Sequence, residues 1–305
     1  MPRLRDLCAS AFNLRADEPF FKNGDVIALV GGEDMVAMSE YGYLELLLTR
    51  ALPGHRLKFR NLAWEGDTVF EQRRDLNFPP LEAQLEQVGA TVIICQFGQM
   101  ESLAGKEKLP EFIAAYEKLL ARMSGGEKRR VVLVTPMMFE IEHGSPIIQS
   151  EILRERNAVR ELYADAVKGM AHPPGMIFVN WLEVELRDVF TGGLGPFTRD
   201  STHLNDRGHA NAARGILERL SVAHPNRALA QPLGRLITAK NRLWFDYWRV
   251  QNWAFLAGDR TEQPSSRDHV DRTKRWFPAE REQFLPLIDA KEQEIWTLAA
   301  KLAQP

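Results

Sequence analysis

Apolar runs and amphipathic stretches alternate along the first two thirds of the chain. Asp25-Val26-Ile27-Ala28-Leu29-Val30 is a short apolar run ending at Gly31-Gly32, the pattern of a buried parallel strand and its exit turn. Residues 41–52 place Leu44, Leu47, Leu48 and Leu52 at helical spacing, and Pro53-Gly54 stops the helix. The same reading gives strands over 57–62, 90–97, 131–134 and 176–179, and helices over 81–88, 109–123, 152–170 and 206–220. Gly125-Gly126 closes the 109–123 helix as a C-cap. Five short strands alternating with helices predict an α/β fold with a parallel sheet and helices on both faces. Right-handed crossovers then bring every strand's C-terminal end to one edge of the sheet, where such folds hold their sites.

The pattern changes near residue 226. Residues 229–256 carry Trp244, Phe245, Tyr247, Trp248, Trp253 and Phe255; residues 258–273 are polar; residues 277–302 return to helical spacing. This divides the chain into an α/β domain over 1–225 and an α-helical C-terminal extension over 226–305. The aromatics are expected to pack against the main domain or, in a homodimer, against a second subunit.

Composition narrows the function classes. With 39 basic and 41 acidic side chains the formal net charge is -2, so no global field draws in nucleic acid or an anionic membrane. Met1-Pro2-Arg3-Leu4-Arg5-Asp6 lacks an apolar stretch of signal-peptide length, and no run approaches a membrane span. The expectation is a soluble cytoplasmic protein. Of the two cysteines, Cys95 lies in the 90–97 strand and reads as a core residue. No Cys/His spacing of zinc-site type occurs, and neither a cofactor nor a resident metal is expected.

Four segments fall at strand ends or in the late loop: Gly31-Gly32-Glu33-Asp34, residues 61–68 (Asn-Leu-Ala-Trp-Glu-Gly-Asp-Thr), Gly98-Gln99-Met100-Glu101-Ser102, and Asp200-Ser201-Thr202-His203-Leu204-Asn205. In order and context they resemble the blocks of the SGNH (GDSL-type) hydrolases, over residues 24–222. The resemblance implies a flavodoxin-like three-layer α/β/α domain with a five-stranded parallel sheet. It also implies a nucleophilic serine after the first strand. An oxyanion hole built from a glycine after the second strand and an asparagine after the third would follow, with a late Asp-x-x-His as base and orienting carboxylate. Gly66, Asp200 and His203 match that pattern. Glu33 stands at the serine's position with Gly32 before it, and Met100, followed by Glu101, stands at the asparagine's. The tail, through Lys240-Asn241-Arg242-Leu243-Trp244-Phe245, is similar to the stretch that follows SGNH-type domains in some environmental bacterial proteins, whose first block also reads Gly-Gly. That likeness points to a distinct subfamily.

A glutamate cannot replace serine in acyl transfer, because its acyl product would be an anhydride. Losing one oxyanion donor costs about a hundred- to a thousand-fold in rate. Ser39 is expected as an N-cap at the entry to the first helix, and Ser102 as a turn or helix cap, rather than as substitute nucleophiles. Glu33, Asp34, Glu65, Asp67, Glu101, Asp200 and His203 could converge at the same edge, holding a divalent cation or positioning a water for His203, with Asp200 orienting it and Glu33 as partner. The plainer alternative makes them solvated loop carboxylates and caps. His209 is expected to cap or pack, and His55, His143, His172, His224 and His269 to lie on loops or the surface.

Two functions follow. One is an SGNH-like hydrolase acting on acyl or acetyl esters of carbohydrates or lipids by altered chemistry. The other is a catalytically inactive descendant serving as a ligand-binding or assembly module. Glu33→Ser alone is expected not to restore robust esterase activity in a nitrophenyl-ester assay, since Met100 still leaves the oxyanion hole short of a donor. Full recovery would show that the third block is misplaced.

Overall fold

The computed structural model describes residues 19–141, 146–172, 175–180, 196–223, 225 and 231–303. The expected boundary at 225/226, together with His143 and His224, falls at or within gaps between these segments and lies outside what is described. Five strands, β1 (Val26–Gly31), β2 (Lys58–Asn61), β3 (Val92–Gln96), β4 (Arg130–Val134) and β5 (Met176–Val179), form one sheet in the order β2-β1-β3-β4-β5. All four pairings are parallel. This is the flavodoxin-like doubly wound order.

Strand alternation builds the three layers. Ile27, Leu29, Val92, Ile94, Val132 and Val134 face one side, against α1 (Glu33–Tyr41), α2 (Tyr43–Ala51) and α7 (Asp206–Arg219). Ala28, Val30, Ile93, Cys95, Val131 and Leu133 face the other, against α3 (Leu81–Gln87), α5 (Leu109–Ser124) and α6 (Ile147–Met170). A further short helix, α4 (Gln99–Ser102), follows β3. Because both faces are covered, the strands read as continuous apolar runs. Cys95 is fully buried, and burial pushes its thiol up to about 12, so it is an inert core residue.

Three local expectations are corrected. The run read as a helix over 41–52 is α2, which begins at Tyr43, and a further helix, α1, precedes it; Gly42, with φ 68°, serves as C-cap of α1 and N-cap of α2. The helix before it escaped the periodicity because five consecutive residues, Asp34 to Met38, are buried, leaving no polar stripe. Ser39 is therefore inside α1, where its Oγ accepts a 2.7 Å hydrogen bond from Asn61 Nδ2, rather than capping a helix start. At α6, the first turn begins five residues earlier than its apolar stripe, since Ile147 and Ile148 point to solvent.

The C-terminal helices α8 (Gln231–Trp248) and α11 (Phe284–Leu302) pack on each other and beside β2. Two short helices, α9 (Trp253–Leu256) and α10 (Trp276–Glu282), lie between them in sequence. Trp244, Tyr247, Trp248 and Ile288 join the same core as Ala28 and Val30. Trp244 Nε1 donates to the Asn61 carbonyl at 2.9 Å and Trp296 Nε1 to that of Leu57 at 3.1 Å, tying the extension to both ends of the edge strand β2. Two ion pairs are buried in this contact: Lys240–Glu45 at 2.9 Å and Arg60–Glu292 at 2.5 Å. Burial pushes the Lys240 pKa down and that of Glu45 up, against the pull of their pairing. Among the described residues, no helix is long and apolar enough to cross a membrane.

Removing one partner of such a pair leaves a buried charge alone. Lys240→Met is expected to cost about 3–5 kcal/mol in urea unfolding. Adding Glu45→Gln should recover most of that loss, and no recovery would mean the pair is not what couples the extension to the domain.

Candidate active site

The strand order reverses at β1, so the exits of β1 and β3 flank the crevice where doubly wound folds bind ligands. Gly31 pairs in register with Gln96, so the two turns leave the sheet at the same level. Gly31 has φ 149°, and a Cβ there would sit 2.6 Å from the Gln96 carbonyl oxygen. Only glycine permits that approach, which fixes the direction in which Gly32 and Glu33 enter α1. Gly98, at φ 109°, makes the corresponding turn after β3.

The late loop closes over this edge. Its ends pair through the Thr198–Leu204 bridge. Glu140 accepts hydrogen bonds from the backbone N–H groups of Phe197 and Thr198 and from the Thr198 hydroxyl. Asp200 Oδ1 accepts from the backbone N–H groups of Thr202, at 3.0 Å, and His203, at 2.7 Å, forming a tight Asx-type turn. Two contacts lock the loop to the strand exits: Leu204 N–H donates to Asp34 Oδ1 at 2.9 Å, and Gln99 Nε2 donates to the Thr202 carbonyl at 3.0 Å.

This docking brings His203 to Glu33. His203 Nδ1 lies 2.8 Å from Asp200 Oδ2 and Nε2 lies 3.1 Å from Glu33 Oε2. Arg199 bonds the other Glu33 oxygen, Oε1, and its Nε lies 3.8 Å from Asp200. For Asp200, burial raises the pKa, but hydrogen bonds from the His203 backbone, the His203 ring and the Thr202 backbone outweigh it and hold the carboxyl below the usual range. The cleft is open to solvent and is lined by Gly32, Glu33, Asp34, Asp67, Phe97, Met100 and His203, among others. Phe97 and Met100 supply its apolar wall.

The remaining acidic residues of the predicted cluster are committed elsewhere. Asp67 is clamped by Arg74 through two 2.7 Å hydrogen bonds. Glu65 pairs with Arg249 of the C-terminal region at 2.5 Å. Glu101 folds back and accepts from the backbone N–H groups of Gly98 at 2.8 Å and Val69 at 2.9 Å, and burial raises its pKa despite these bonds. Among the described residues no group of three His, Cys, Asp or Glu side chains could hold a metal ion. The seven acidic and histidine side chains therefore do not converge on one cation: Glu65, Asp67 and Glu101 each have their own donor, while Glu33 and Asp200 share His203 and Arg199.

Other candidates separate in the same way. Asp67, not Gly66, is the residue of the second block lining the cleft. Met100 is 53% exposed, at the mouth. Ser102 is buried at the end of α4, with its hydroxyl donating to the Gln99 carbonyl at 2.6 Å. His209 is buried and stacked on Tyr41 at 4.4 Å; burial, then the Arg199 charge, pushes its pKa down to about 3. Three residues were missed by sequence reasoning: Arg199, Gln99 and Glu140. Arg199 adjoins Asp200 and was within reach of inspection, whereas the roles of Gln99 and Glu140 depend on contacts 103 and 57 positions away.

No family model and no curated protein matches the chain. Solved structures do. A gut microbial diltiazem-metabolizing enzyme superposes with a TM-score of 0.52 at 16% identity over 66% of this chain. This chain spans only 48% of that enzyme's length. Axe2, an acetylxylan esterase from Geobacillus stearothermophilus, superposes with a TM-score of 0.50 at 18% identity, covering 68% of this chain and 98% of its own. A catalytic mutant of Axe2 gives 0.51 at 17%, over 68% and 99%. At such identities the likeness establishes the fold.

Asp34 gives the site a pH signature. Burial, opposed by the Leu204 hydrogen bond, raises its pKa from 3.8 to about 6. A raised carboxyl pKa means the folded state binds the proton more tightly, so stability is greatest below the unfolded value and falls as pH rises through the folded one. The cost above that window is about 3 kcal/mol. Asp34→Asn keeps an acceptor for Leu204 and is expected to flatten the fall in thermal midpoint between about pH 4 and about pH 6. An unchanged slope would assign the titration to another group.

Proposed function

We propose that the chain is a hydrolase of the SGNH type with altered chemistry, acting on acyl or acetyl esters of carbohydrates or lipids. The observation that carries this reading is the continuous Asp200–His203–Glu33 relay at the mouth of the cleft. Asp200 fixes the ring's orientation and tautomer, as the carboxylate of a triad does. In a turnover, Glu33 swings off His203 toward Arg199 and a water takes its place at Nε2. His203 draws a proton from that water as it attacks the ester carbonyl. Gly32, in the cleft lining, holds the place of an oxyanion donor by resemblance, whereas Gly66 is not in that lining. Met100 contributes no donor, so the reaction is slow for its class. Axe2 shares the fold and is by its name an acetylxylan esterase, which makes acetylated xylo-oligosaccharides the first substrates to try.

One observation favours the second reading, a binding module without turnover. Arg199 and His203 engage both oxygens of Glu33, so the residue at the nucleophile's position is saturated at rest.

Hydrolysis of nitrophenyl acetate and acetylated xylo-oligosaccharides by wild type, His203→Ala and Asp200→Asn separates the two. The hydrolase reading expects His203→Ala to lose about a hundred-fold or more in kcat/KM. Wild-type rates equal to those of His203→Ala and of buffer would leave the binding module.

A further inference from the structure

The two departures from the serine pattern, a carboxylate for the hydroxyl and a thioether for the amide, make sense together if the electrophile is not an acyl group. A carboxylate attacking an ester yields an anhydride, more reactive than what it started from. A carboxylate attacking a saturated carbon that bears a good leaving group yields an ester, stable enough to form and hydrolysable afterwards. No substrate carbonyl then exists to need an oxyanion donor, and Met100 becomes an apolar wall.

We infer that Glu33 is a nucleophile toward saturated carbon and that the cleft hydrolyses short alkyl halides through a glutamyl ester. The inference rests on the proposal above that the Asp200–His203–Glu33 relay is a working site. Glu33 enters α1 at the crevice, with its side chain 39% exposed and lining the cleft beside Phe97 and Met100. In the first step a lone pair on Oε2 forms a bond to the substrate carbon as the carbon–halogen bond breaks. The halide leaves with its electron pair and needs no acid.

The second step uses the groups already in contact with Glu33. His203, oriented by Asp200, takes a proton from water, and the hydroxide attacks Cδ of Glu33. The negative charge develops on Oε1, the oxygen that Arg199 holds. Collapse breaks the Cδ–Oε2 bond, and the departing alkoxide recovers its proton from His203 Nε2, 3.1 Å from Oε2 at rest. Alkyl halide and water thus become alcohol, halide ion and a proton, with the water's oxygen left in the Glu33 carboxyl. Arg199 at Oε1 and His203 at Oε2 are the assignments this chemistry requires. The saturated contact pattern that argues against acyl transfer is the resting form of this one.

The test uses n-butyl bromide and the full chain. With protein in excess over substrate in heavy-oxygen water, the label is expected in Glu33 by peptide fragmentation, while the first-turnover butanol carries light oxygen. In His203→Gln, a burst of one bromide per protein is expected, with a butyl ester mapped to Glu33. Glu33→Gln should give neither, and thermal melting establishes that both variants are folded. Heavy oxygen in the butanol with none in Glu33 would overturn the inference in favour of direct attack by water. Absence of the adduct alongside ester hydrolysis that depends on His203 overturns this inference and leaves the ester hydrolase standing. Loss of both activities in folded wild type overturns both.

Discussion

The parallel pairing of β1 with β3 is the constraint on which the rest of the molecule depends. Its register sets Gly31 opposite Gln96, and the close approach of that backbone leaves no room for a side chain at Gly31. The chain must then leave β1 and β3 side by side at one level. The first and third blocks, separated by more than sixty residues of sequence, become the two lips of one cleft. A helix entering at Glu33 and another at Gln99 follow from turns that glycines alone can make.

The late loop completes the cleft because its backbone polar groups need partners. Glu140 satisfies N–H groups at the loop's start, Asp200 satisfies those of its own turn, and Asp34 satisfies Leu204 from across the crevice. The last contact leaves a carboxylate nearly dehydrated, and the raised pKa of Asp34 is the electrostatic consequence. The loop is thereby held where the His203 ring must meet Glu33. The charges gathered here are paired one by one, with Arg199, Arg74 and Arg249 each meeting a different carboxylate.

The C-terminal helices are part of the same body. The aromatic face of α8 fills the core beneath β1 and β2, while Trp244 and Trp296 satisfy carbonyls beside the edge strand. Burying Lys240 and Arg60 against Glu45 and Glu292 gives the contact specificity, because a shifted docking would strand a charge in an apolar layer. Arg249 continues this contact toward the cleft, lying over the Trp64 ring at 4.1 Å while pairing with Glu65.

The sequence by itself determined the strands, their parallel arrangement and the edge at which the candidate polar residues gather. Those properties come from local runs of β-branched and apolar residues, and from a handedness that holds for nearly all such crossovers. It also determined the pairing of Asp200 with His203, since three residues in a tight turn fix their relation locally. The tertiary structure decided what the other polar residues do. Whether Glu65, Asp67 and Glu101 meet a cation, a substrate or an arginine depends on side chains far along the chain. Arg249 is 184 positions from Glu65, and no local spacing encodes that distance. The short first helix escaped for a related reason. It is buried on nearly every side by α2, α7 and α8, so its polar face, the feature a periodicity detects, does not exist.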